Sequence, residues 1–154
     1  MSDFLDYVSP EERRDRWNAS PRLYIAAPLA DVVRARRIAD DLRHSLTIVS
    51  RWLNTAAPGS VDPVNAEARA AILRDNLADL NVATCMLVLA DGEAKGMQPR
   101  ATYGEAAIAV SRGLPTVWLH APGGPGRCIF DAAPCVTRID DPSKILEALI
   151  GRIA

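Results

Sequence analysis

The chain is predicted to be an α/β protein: a single domain on a mostly parallel, doubly wound sheet of five strands, with helices on both faces. Three observations predict it. From residue 22 onward, short apolar runs of strand length alternate with longer segments of helical period. The 154 residues are the usual size of one domain, enough to bury a core without staples. A content of 49% hydrophobic and 24% charged residues is ordinary for a globular chain. Strand–helix–strand units in series give parallel pairing, and five of them suggest the flavodoxin-like order 2-1-3-4-5.

The elements follow in order. Residues 1–20 are polar and charged and read as an N-terminal arm, with a short helix started by Ser9-Pro10-Glu11-Glu12 and Trp17 packing back on the body. The domain proper spans 21–154. RLYIAAP (22–28) is a buried strand. ADVVRARRIADDLRHS (30–45) carries Val33, Ile38 and Leu42, with Val32 and Ala35 alongside, as a helical stripe under an arginine-rich outer face. LTIVSRW (46–52) is a second strand, and NTAAPGSVDP (54–63) is a loop. VNAEARAAILRDNLADLNVA (64–83) is a long helix, with Asp62 as N-cap and Pro63 in the first turn. CMLVLAD (85–91) is the most apolar strand, followed by the polar loop 92–100. ATYGEAAIAVSRG (101–113) is a helix stopped by Gly113 as its C′ glycine. LPTVWLH is a strand and APGGPGR a turn-rich loop. CVTRID (135–140) is the last strand, and DPSKILEALIGRIA is an amphipathic helix opened by Asp141-Pro142.

Bulk properties exclude some functions. The net charge is −1 and the isoelectric point about 6.1, so no basic field exists to hold a nucleic-acid polymer. Cys85, Cys128 and Cys135 form no CxxC pair and no ligand spacing with the histidines, which suits a reducing compartment and predicts no metal. Cys85 is expected in the core. The start, MSDFLDYVSPEERRDRW, has no apolar signal segment, and no apolar run approaches a membrane span. A cytoplasmic protein with no membrane partner is the expectation.

In doubly wound sheets, ligands sit at the carboxyl ends of the strands, at the point where the strand order reverses. The residues there are Ala26, Ala27, Pro28 and Leu29 after the first strand, Asp91 and Gly92 after the third, and His120 with APGGPGR after the fourth. Glu105 opens the helix beside the same edge, and Tyr24 lies inside the first strand. The phosphate motifs GxxxxGK[ST] and GxGxxG, the GxSxG elbow and HExxH are all absent. A carboxylate at a helix start is by itself ordinary, because the helix dipole favours it.

YIAAPL in the first strand, RDNLADLNVATCMLVLADG, and YGEAAIAVSRGLPTVWL together resemble the nucleoside 2-deoxyribosyltransferase superfamily, which includes the 2′-deoxynucleoside 5′-phosphate N-hydrolases and the CMP N-glycosidases. The resemblance covers roughly residues 22–140 and is strongest over 73–119. It implies a doubly wound α/β domain that cleaves an N-glycosidic bond and passes the sugar to water or another base. It places the nucleophilic glutamate at Glu105, a carboxylate after the third strand near Asp91, and a supporting tyrosine at Tyr24. Such a bond breaks through an oxocarbenium-like state that a carboxylate can stabilise or trap, and the leaving base needs a proton.

The chain departs from the family pattern. The second carboxylate of the pattern falls on Asn76. Asp75 points about 100° away on a helix, whereas Asp79 shares nearly the same face and is the better candidate acid. E-L-G-Y-A is E-A-A-I-A here, Ala101 replaces the glycine a turn earlier, and Gly104 directly precedes the glutamate. Ala26, Pro28, Asn76, Gly92, Gly104 and Arg34 are expected to line the substrate.

Among Arg34, Arg36 and Arg37, one could meet a 5′-phosphate through a bidentate fork. Trp52 could stack on a base. His44, His120 and Asp131 read as structural or lining residues. The resemblance further implies a homodimer or higher oligomer and no cofactor. Two rival readings stand beside it: a degenerate nucleotide-binding module of the same fold, and an unrelated flavin or receiver domain. A receiver needs an acidic cluster after its first strand, where this chain has Ala26-Ala27-Pro28.

Overall fold

A computed structural model describes residues 9, 11, 21–56, 65–91, 100–123 and 128–151. The expected arm over 1–20 therefore lies outside the described residues except at two positions, as do Asp62, Pro63 and Gly92. Five parallel strands form one sheet in the order 2-1-3-4-5, as the sequence predicts. They are β1 (Arg22–Ala26), β2 (Thr47–Ile48), β3 (Cys85–Leu89), β4 (Thr116–Leu119) and β5 (Val136–Ile139). Every ladder is parallel, with Ile25 opposite Leu87 and Leu87 opposite Val117 through the centre. β3 is buried along its whole length, which explains its unbroken apolar run, and Cys85 is in the core as expected.

The helices are α1 (Val32–Leu42), a short α2 (Trp52–Thr55), α3 (Ala66–Val82), α4 (Arg100–Ser111) and α5 (Ile145–Gly151). The β1-to-β2 connection crosses the sheet in the opposite direction to the two that follow. The uniform handedness of such crossovers puts α1 on one face and α3 and α4 on the other. The sheet order thus reverses between β1 and β3.

Several boundaries differ from expectation, each for a local reason. The second strand is two residues long, not seven. Val49 N still donates to Leu23 O at 2.9 Å, but the chain then leaves the ladder. Side chains take over: Ile25 N donates to Ser50 Oγ at 2.6 Å, and Trp52 Nε1 donates to Ile25 O at 2.8 Å. Trp52 is only 8% exposed and belongs to the core, so it is no stacking platform for a base. The buried stripe of α1 is Val32, Ala35, Ala39 and Leu42, while Val33 is 53% exposed. The cap of α3 is Asn65, whose side chain accepts from Glu67 N and Ala68 N.

Helix ends elsewhere follow the sequence. Gly113 has φ of 62°. Its N–H donates to Val110 O at 2.9 Å, and Leu114 N donates to Ala109 O at 3.0 Å, a Schellman stop. Asp141 accepts from Ser143 N ahead of α5.

α3 is held chiefly at its far end. Leu80 is buried, whereas Ile72 and Leu73 are exposed. Arg112, just beyond α4, donates to the carbonyls of Leu80 and Asn81, and Arg22 Nε donates to Val82 O at 2.5 Å. These bonds satisfy carbonyls that a helix end leaves orphaned. Leu80→Ala is expected to destabilise the chain by about 2–5 kcal/mol. Leu73→Ala should stay within about 0.5 kcal/mol. Urea denaturation checks both.

Candidate active site

Glu105 sits in the second turn of α4, not at its head as the sequence suggests, because the helix begins at Arg100. The dipole of α4 is therefore a minor influence on its charge, since that effect fades within the first turn. Side-chain bonds matter more. Tyr24 OH donates to Glu105 Oε1 at 2.8 Å, and Asn76 Nδ2 donates to the same oxygen at 2.9 Å. One atom thus joins β1, α3 and α4. Among the described residues no hydrogen bond to Oε2 is found.

Burial pushes the Glu105 carboxyl up to about 7, and the bonds from Tyr24 and Asn76 only partly oppose it. Tyr24 is fully buried, and burial first, then the charge and bond of Glu105, drives its phenol well above the ordinary value. Tyr24 is therefore a fixed donor.

The other carboxylates are engaged with arginines. Asp79 is buried; its Oδ2 accepts from Arg51 N at 2.9 Å and its Oδ1 from Arg51 Nε at 2.6 Å. Both oxygens hold the connection after β2. Its charge still reaches the Tyr24 phenol. Asp75 is exposed and lies 4.0 Å from Arg51 Nη2. Asp91 accepts both terminal nitrogens of Arg34, with Nη1 at 2.5 Å from Oδ2. Asp31 accepts Arg34 Nε at 2.9 Å. The hydrogen bond to Asp91, foremost, raises the already basic Arg34 further.

The remaining predicted residues are placed as follows. Ala26 is buried at the end of β1. Pro28 follows it, and its carbonyl accepts from Asp31 N at 2.8 Å. Gly104 is exposed, and a Cβ there would meet nothing within 4 Å, so the chain's own packing does not require glycine. Arg36 donates to the carbonyls of Leu53 and Ala56, and Arg37 is exposed on the side of α1 opposite its buried stripe. His120 Nδ1 lies 2.8 Å from Ala121 O. His44 is exposed, and Asp131 is buried 3.7 Å from Arg138.

Sequence reasoning passed over Asp31 and Arg51. Asp31 meets Arg34 three residues on, a helical spacing visible in the sequence, whereas Asp79 reaches Arg51 only through the fold. Thr102 was passed over as well: its Oγ1 is buried one turn before Glu105 and has no hydrogen-bond partner among the described residues. Among the described residues no cluster of His, Cys, Asp or Glu could hold a metal ion. No described helix is long and apolar enough to cross a membrane. Comparisons with protein-family models, curated proteins and solved structures match nothing to this chain.

The raised Glu105 value links stability to pH. Between the ordinary glutamate value of about 4.3 and about 7, the folded chain keeps a proton that the unfolded chain has released. That contribution to stability is complete below the lower value and is lost as pH rises through the upper one. Glu105→Gln removes the loss while keeping an acceptor for Tyr24 and Asn76. Urea midpoints should show the variant more stable than wild type near pH 8, with the two converging near pH 4. Parallel curves would mean that the carboxyl is not desolvated.

Proposed function

We propose that the chain cleaves the N-glycosidic bond of a nucleoside or nucleoside 5′-monophosphate, with Glu105 as nucleophile. The observation that carries this reading is the asymmetry of the Glu105 carboxylate. Oε1 is held by two neutral donors, Tyr24 and Asn76, while Oε2 has no donor among the described residues. Two donors on one oxygen fix the plane and direction of the carboxylate, which is the preorganisation a nucleophile needs. A value near 7 leaves it substantially ionised at neutral pH, yet less solvated than an ordinary glutamate.

The steps balance as follows. A lone pair on Oε2 forms a bond to the anomeric carbon as the C–N bond breaks. The bonding electrons leave with the base, which takes a proton from solvent water. Water or a second base then attacks the same carbon, gives a proton to solvent and releases the Glu105 carboxylate. Tyr24 donates to Oε1 while the carboxylate is charged, and to the ester carbonyl oxygen once the bond has formed. Asp91 and Asp79, oriented by Arg34 and Arg51, act as fixed negative charges beside a developing oxocarbenium, and Asp91 orients sugar hydroxyls. No cofactor is invoked. The substrate is a small molecule, and a homodimer or larger assembly accompanies this reading.

One observation favours a second reading. Asn76 has no proton to give, and both oxygens of Asp79 are engaged with Arg51. A chain with no acid for the leaving base could hold a nucleotide without cleaving it.

Free-base release by liquid chromatography, over ribo- and deoxynucleosides and their 5′-monophosphates, separates the two. Release is expected from wild type and should fall at least about a thousandfold in Glu105→Ala. No release from any substrate would favour the binding module. With an ionised nucleophile, kcat/KM should rise with pH and level off above about 7. Tyr24→Phe removes a bond that lowers the Glu105 value, so this limb should move to higher pH.

A further inference from the structure

Doubly wound sheets hold phosphate where the strand order reverses, at the N-terminus of the helix that follows the first strand. In this chain that place already contains anions. Asp31 is the residue on which α1 begins, and it is buried. Asp91 stands across from it at the end of β3. Arg34 lies between the two, giving Nε to Asp31 and both terminal nitrogens to Asp91.

Among the described residues, the other cations nearby are likewise occupied. Arg51 is bound to Asp79, and Arg36 to the carbonyls of Leu53 and Ala56. Arg37 lies on the far side of α1. Asp31, Asp91, Asp79 and ionised Glu105 outnumber Arg34, Arg36 and Arg51 by one, so the described edge offers no surplus of positive charge. A phosphate monoester carries about −1.5 to −2 charge near pH 7. To bind it, Arg34 would have to leave one partly buried carboxylate unpaired, which is strongly unfavourable.

We propose that the crevice accepts an uncharged nucleoside and rejects the same nucleoside bearing a 5′-phosphate, because Asp31 and Asp91 saturate Arg34 where the phosphate would lie. The identity of the ligand as a nucleoside rests on the glycosidase reading; the discrimination against the anion rests on the charge arrangement. Neutral sugar hydroxyls suit the same site, since they can donate to the remaining carboxylate lone pairs.

The test is binding, which does not require turnover. Full-length Glu105→Gln protein is titrated calorimetrically with the common nucleosides and deoxynucleosides, each with and without its 5′-phosphate. The unphosphorylated member of a pair should bind at least about tenfold tighter at low salt, because like charges oppose the other. The gap should narrow in about 0.5 M salt. Asp31→Asn, which frees one edge of Arg34, should improve monophosphate binding about tenfold relative to the nucleoside. The ratio measured on Glu105→Gln with Asp31 intact keeps the comparison valid should that variant fold poorly.

Tighter binding of the monophosphate, equal binding of both, a gap insensitive to salt, or binding of neither overturns the proposal. A preference for the nucleoside without base release by wild type would overturn the glycosidase reading and leave this one supported.

Discussion

One oxygen atom, Glu105 Oε1, ties a central strand to two helices. Tyr24 approaches it from β1 and Asn76 from α3, while the carboxylate itself belongs to α4. A carboxylate withdrawn from water is tolerable only when bonded, and here both bonds come from neutral groups. That choice matters. A cation in place of either donor would favour the ionised form more strongly, whereas neutral donors leave its value near 7. Some stability is therefore given up at neutral pH, where an ionised group is kept away from water.

Around this junction, guanidinium groups fasten pieces of chain that are distant in sequence. Arg34 joins the turn after β1 to the end of β3. Arg51 joins the end of the short β2 connection to α3. Arg112 joins the end of α4 to the end of α3. In each case planar donors meet oxygens that would otherwise be stranded in a half-buried place, which is the use to which arginine is best suited. The consequence is that Asp91 and Asp79 are held in fixed directions at this edge of the sheet.

The sheet was legible because β3, β1 and β4 are apolar along their length, and parallel strands buried on both faces must be. The stop of α4 was legible because only a glycine enters the left-handed region cheaply at Gly113. The short β2 was not, since Ser50 and Trp52 replace backbone bonds with side-chain bonds and no periodicity reports that substitution. The true stripe of α1 was obscured because alanines at 35 and 39 carry it while Val33 faces outward. At the site, Tyr24, Asn76 and Glu105 could be named from a motif resemblance, and the fold brings these three together. Arg51 could not, because its contact with Asp79 spans 28 residues and exists only once the chain is folded, whereas Asp31 stands three residues before Arg34 and that spacing could have marked it.

The fastening of α3 at one end has a mechanical corollary. Its last carbonyls are pinned by Arg112 and Arg22, while the half bearing Ile72 and Leu73 makes little contact with the body. The bonds from Arg51 to the Asp75 carbonyl and from Asn76 to Glu105 hold the middle of the helix as well. Any swing is therefore confined to the turns before Asp75, and at about 1.5 Å of rise per residue Ile72 stands about one turn out on that free arm. The outer arm can shift without unmaking the bonded carboxylate.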